Sequence, residues 1–237
     1  MNPSTGTAVR NHRNAVRNQS ESLSAMRRNP QSGLGSDDTG RIQFRGIDDL
    51  RFRAFKSEGF EVGPLIGWRF GREHDASLRL RGLGDVDGGL ILGGYAGYRF
   101  GSIMPFVSYH HQVTGDTTGG VVRFGAEART VFSSGVTLTA TGGASYADSD
   151  YASSFFSVTR AQSANSLARL AVYDADAGIK DVFVGLSSSV PLSPQWSLKV
   201  NGRYARLIGD AKDSPVVENA NQFSGGLGLT YQFNLPR

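Results

Sequence analysis

Every second residue of the stretch 222–233, QFSGGLGLTYQF, is apolar: Phe223, Gly225, Leu227, Leu229, Tyr231 and Phe233. Between them lie Gln222, Ser224, Gly226, Gly228, Thr230 and Gln232. A period of two puts one set on each face of a β-strand. The pattern recurs along the chain. In 60–70, Phe60, Val62, Pro64, Ile66, Trp68 and Phe70 oppose Glu61, Gly63, Leu65, Gly67 and Arg69. In 90–100, Leu90, Leu92, Gly94, Ala96, Tyr98 and Phe100 oppose a mixed set ending in Arg99, and 103–112 shows a weaker version built on Ile103, Pro105, Val107 and Tyr109. Further strands read from Val122 to Ala128, Val136 to Tyr146, Val182 to Val190 and Trp196 to Tyr204. Several oily faces end in an aromatic, where a ring can sit at lipid headgroup level. A strand of about ten residues with such an end fits a tilted bilayer crossing.

The connections carry a second argument. Short links at 56–59, 100–102, 133–135 and 191–195 take turns with long ones at 72–89, about 113–119, about 147–178 and 209–221. Outer-membrane barrels keep this order because tight turns face the periplasm and long loops face outward. With a short hairpin inside 41–56, the chain reads as an all-β, antiparallel up-and-down transmembrane β-barrel of about ten strands. Residues 1–40 carry almost no large apolar side chains and read as a polar, disordered segment. The barrel is expected over 41–233, and 234–237 form a short tail. The last strand ends in Tyr231 and Phe233, an aromatic terminus suited to recognition by a barrel-assembly machinery.

Composition narrows the picture without changing it. No apolar run of about 18 residues is present, so a membrane helix is excluded, whereas a barrel hides its lipid face in alternate positions. The 237 residues include no cysteine, which excludes disulfides and thiolate chemistry. The net charge of +4 is spread over scattered arginines, with no nucleic-acid motif beside them. No secretory signal is visible in the polar N-terminus.

The segments WRFGRE (68–73), LRGLGDVDGGLILGGYAGYRFG (80–101), YDADAGIKDV (173–182) and LSPQWSLKVNGRYARLIGDAKDSPVVENANQFSGGLGLTYQF (192–233) together resemble the MipA/OmpV family of Gram-negative outer-membrane proteins. The resemblance covers roughly 41–233 and is most specific in the last forty residues. It implies a twelve-stranded barrel in the outer membrane. It also implies a scaffold bringing a murein-cleaving transglycosylase and a murein synthase together in cell-wall assembly. A signal peptide and two opening strands belong to the family pattern and are not found here; GLGSDDTGR (33–41) resembles a remnant of the first hairpin's loop. The alternative function is a small channel for solutes or drugs.

Candidate chemistry is sparse. Arg69, Arg99, Arg123, Glu127, Arg129, Lys199 and Arg203 fall on the faces opposite the oily ones and read as a lumen charge network plugging a narrow pore, or as an anion-attracting channel. His110 and His111 are adjacent, so one faces the lumen and the other the lipid or the rim. A hydrolase would need one of them as base, beside Asp116 or a serine. The plainer reading is a pair of solvated rim histidines, and the chain is not expected to be an enzyme. Asp85 with Asp87, and Asp148 with Asp150, lack the offsets and terminal glutamate of a calcium loop. GLGDVDGG lacks a Walker lysine and reads as loop glycines. No cofactor or metal is expected.

Overall fold

The computed structural model describes residues 35–36, 42–46, 48–115 and 119–231. Phe233, Asp116, most of the 1–40 segment and the 234–237 tail therefore lie outside the described residues. One antiparallel sheet dominates. Its strands are β1 (Gly35–Ser36), β2 (Ile42–Gly46), β3 (Asp49–Phe52), β4 (Phe55–Ser57), β5 (Phe60–Arg69), β6 (Gly89–Tyr98), β7 (Ile103–Gln112), β8 (Gly119–Val131), β9 (Thr137–Ala147), β10 (Gly178–Pro191), β11 (Trp196–Leu207) and β12 (Asn221–Tyr231). Except for β3 and β4, neighbours in sequence are neighbours in the sheet. β3 and β4 both lie along β5 and act as one strand interrupted at Arg53 and Ala54. Counting that pair once, β2 to β12 make ten strands. Gly35 and Ser36, inside the segment read as a polar tail, pair with Phe44 and Gln43.

The short links are as tight as the pattern requires. Between β4 and β5 the turn is Glu58-Gly59, with φ of 38° and 94°. Positive φ at both positions is the type I′ hairpin, whose twist matches that of its strands. The long links do more than connect. The long links at 147–178 and 209–221 are not plain loops; they contain α1 (Ser149–Phe156), α2 (Arg160–Asn165) and α3 (Gly209–Asp213). Asp148 caps α1 by accepting from the Tyr151 amide, and Thr159 and Gln162 form a capping box on α2. Such short helices hold only by packing. Two small cores supply it: Leu80, Leu83, Val158, Leu170 and Val216 in one, and Ala152, Phe156, Ala175, Leu207 and Ala211 in the other.

The sheet curls. Arg45 on β2 ion-pairs with Glu127 on β8, five strand steps away along the sheet. A flat sheet would hold strands five steps apart at roughly 24 Å. Alternation fixes which face is inside. On β7, Met104, Phe106, Ser108, His110 and Gln112 are buried, while Ile103, Val107 and Tyr109 are exposed. Outward aromatics form two bands: Phe60, Tyr98 and Trp196 near the short turns, Trp68, Tyr109 and Tyr204 near the long loops. From Phe60 to Trp68 the chain rises about 26 Å along the strand, or about 20 Å across a bilayer once tilted.

Candidate functional site: charge pairs across the lumen

The β2–β3 hairpin supplies what fills the interior. Alternation in Asp49, Leu50, Arg51 and Phe52 turns the two charges inward and the two apolar residues outward. Asp49 receives two hydrogen bonds from Arg51, at 2.7 and 2.8 Å. The Arg51 guanidinium lies 4.7 Å from the centroid of Tyr95 and 5.8 Å from that of Phe106, both on the lumen face. Asp48 accepts from Arg123 on β8, and Arg45 binds Glu127 through both carboxylate oxygens. Buried charges of this kind persist only when paired and hydrogen-bonded. Along the opposite wall, Asp181 accepts from Ser145 Oγ at 2.9 Å and pairs with Lys180 and, at 3.8 Å, with Arg203. Arg203 itself stands 4.4 Å from the Phe183 ring centroid.

Of the residues singled out in the sequence, Arg123, Glu127 and Arg203 sit in these pairs. Arg69 lies nearer the long loops, donating to the Gly119 carbonyl at 3.0 Å and resting 4.7 Å from the Tyr151 ring centroid. Lys180 Nζ approaches the same ring at 5.7 Å. Tyr151 of α1 thus stands between Arg69 of β5 and Lys180 of β10 at the long-loop end. Arg99, Arg129 and Lys199 line a cavity at the other end. Tyr231 is the last described residue of β12.

Sequence reasoning missed Arg45, Asp48, Asp49, Arg51 and Asp181. The signal was present. RGIDDLRFR at 45–53 carries five charges in nine residues, and Asp181 is one alternation step before Phe183.

The histidines separate as expected for adjacent strand residues, but His110 is not a solvated rim residue. It is fully buried: Nδ1 lies 3.1 Å from the Asp48 carbonyl and Nε2 lies 3.1 Å from Ser108 Oγ. Only a donor can face a carbonyl, so Nδ1 carries the proton and Ser108 donates to Nε2. The arrangement is not a nucleophilic triad. The Asp49 carboxylate is 3.9 Å from Nε2, the nitrogen already facing serine, and a backbone carbonyl occupies the orienting position at Nδ1. Ser108 is itself buried, out of reach of a substrate. His111 faces outward and stacks on Tyr109, 5.9 Å between centroids.

The acidic loop residues have local tasks. Asp148 caps α1 and accepts from the Gly120 amide at 2.6 Å. Asp85 accepts from the His74 amide at 2.6 Å and contacts its ring at 2.8 Å. That contact raises the His74 imidazole above its ordinary range and lowers the Asp85 carboxyl. Among the described residues no group of three or more His, Cys, Asp or Glu is placed to hold a metal. In GLGDVDGG, Gly82 and Gly84 have positive φ within the loop before β6.

The family model for MipA, the MltA-interacting protein, matches residues 27–233. The chain belongs to the MipA family. Two curated relatives agree: outer membrane protein Omp26La of Vibrio anguillarum and outer membrane protein OmpV of Vibrio cholerae serotype O1. Each is 25% identical over 191 residues, covering 79% of this chain and 72% of the relative. The crystal structure of Neisserial surface protein A (NspA) overlays at 17% identity with a TM-score of 0.31, covering 74% of this chain and 97% of that one. This MipA-family chain is an outer-membrane β-barrel protein.

Proposed function

We propose that this MipA-family barrel is a non-enzymatic scaffold, holding a murein-cleaving transglycosylase and a murein synthase together at the inner surface of the outer membrane. The family description, MltA-interacting protein, supports the first partner. The observation that carries the reading is the set of ion pairs that cross the interior. A barrel whose interior is crossed by the Arg45–Glu127 and Asp48–Arg123 pairs acts through its surfaces. The contact surface is assigned to the short turns, which face the periplasm in barrels of this kind. The 132–135 and 191–195 turns present the exposed side chains of Phe132 and Leu192 there. Assembly into the membrane uses the aromatic end of the last strand, Tyr231 and Phe233, as the element read by the barrel-assembly machinery.

Immobilised folded protein tests this. Transglycosylase and synthase are retained from membrane extracts above the level of an unrelated barrel, and Phe132→Ser with Leu192→Ser lowers retention. Equal retention by the unrelated barrel counts against the scaffold. The channel alternative draws on two lumen cavities, of about 130 and 350 Å³, separated by the Arg45–Glu127 pair.

A further inference from the structure

The larger cavity, about 350 Å³, opens at the short-turn end of the lumen. Its wall carries Arg45, Arg53, Lys56, Arg99, Arg129 and Lys199 against two carboxylates, Glu61 and Glu127. Glu127 is already held by Arg45 through both oxygens. The remaining wall is therefore strongly positive whatever local hydrogen bonds its side chains make. Arg45 Nε is buried there with no hydrogen-bond partner among the described residues. The cations come from separate places in the chain: Lys56 from β4, Arg99 from the link after β6, Arg129 from the end of β8 and Lys199 from the start of β11. Up-and-down order with short turns at one end gathers them. Hydroxyl groups of Thr137, Thr139 and Ser187 to Ser189 complete the lining.

Like charges in a narrow, low-dielectric concavity focus the field and repel one another, and an anion relieves that repulsion. The size is that of a small-ligand pocket and excludes a folded partner. Lys56, Gly59, Arg99 and Thr137 of the lining flank the short turns, which face the periplasm in barrels of this kind. We propose that this vestibule is a binding site for a small polyvalent oxyanion, its carboxylate or phosphate groups engaged by Arg99, Arg129 and Lys199. Two periplasmic sources share that chemistry: carboxylate-bearing murein peptides and phosphate compounds. The site rests on the barrel's orientation and not on the scaffold reading, so loss of protein retention and loss of anion binding are separate results.

The test is calorimetric titration of the folded, detergent-solubilised chain at low salt with two probes, inorganic pyrophosphate and a murein disaccharide-tetrapeptide. Binding is expected, weakened by added salt and weakened about tenfold in the Arg129→Gln/Lys199→Gln double variant through lost charge-assisted contacts. Arg160→Gln, on the outer cap, leaves it unchanged. Should the double variant not fold, judged by its heat-modifiable gel mobility, Arg99→Gln replaces it with the same expectation in smaller degree. Binding of the muropeptide identifies murein as the source; binding of pyrophosphate alone identifies phosphate, and either sustains the site. No heat with either probe at millimolar concentration, or equal affinity in wild type and variants, overturns it.

Discussion

At the residue scale, the lumen pairs are where single substitutions matter most. Arg123 retains 20% of its side-chain exposure and Asp48 9%, so removing the carboxylate strands a mostly buried guanidinium. Asp48→Ala is expected to destabilise by about 3 kcal/mol, the low end for a buried pair that loses one partner. Replacing both, Asp48→Leu with Arg123→Met, restores most of that loss, because two desolvated charges disappear together. Urea unfolding in liposomes measures both; equal stability of wild type and Asp48→Ala contradicts the pairing. His74 gives a second residue-scale test. Its raised folded value means its contribution is complete below about 6.5 and fades as pH rises through the folded value, whereas that of Asp85 is complete above about 3.8 and fades as pH falls. The pair therefore helps most between those ordinary values. An NMR titration of His74 should show a midpoint above that of the Asp85→Asn variant; identical midpoints dismiss the contact.

The same scale shows what the sequence could disclose. Inward and outward positions on β5 to β12 were legible because side chains of a strand alternate between its two faces, as exposed Val107 and buried Ser108 illustrate. The partners of Arg123 and Glu127 were not. Asp48 and Arg45 lie 75 and 82 residues away in sequence, and only the curl of the sheet makes them neighbours. His110 was misplaced for the same reason: its burial depends on the Asp48 turn, which no local pattern reveals.

At the scale of the element, the β4–β5 turn and the cap respond differently. Gly59 has φ of 94°, and a Cβ there would meet the Arg99 carbonyl at 2.7 Å. Gly59→Ala should cost about 1–2 kcal/mol, the penalty for an L-residue forced left-handed. Glu58→Asn, at φ 38°, should be neutral to stabilising by a few tenths of a kcal/mol, because asparagine tolerates that region better. Thermal gel-shift midpoints resolve the two, and a stabilising Gly59→Ala would falsify the turn assignment. The cap is held by tertiary ties: Arg72 Nη1 to the Phe155 carbonyl at 2.9 Å, Arg79 Nε to the Pro215 carbonyl at 2.7 Å and Gln162 Nε2 to the Leu83 carbonyl at 2.8 Å. These ties join residues 79 to 136 apart in sequence, farther than any local pattern spans, so the sequence alone shows the links and not α1 to α3. Phe156→Ala should loosen the cap by about 3 kcal/mol or more. Trypsin then cuts at Arg160 faster while the barrel keeps its heat-modifiable mobility; simultaneous loss of both places Phe156 in the barrel's own stability.

For the molecule as a whole, the antiparallel strands and the ion pairs across the lumen describe an outer-membrane barrel protein, and the proposed scaffold role requires that it conduct nothing. The up-and-down antiparallel order of about ten strands was legible, since periodicity and alternating link lengths are global signals carried by every strand. Sequence left plug and channel open, since the answer lies in contacts across the lumen. Conductance of the folded chain in planar bilayers addresses the point most directly. Bilayers containing protein that is heat-modifiable on gels are expected to stay silent across applied voltage. Discrete, reproducible steps that change in size when Arg123 is neutralised would contradict the plugged lumen and favour the channel.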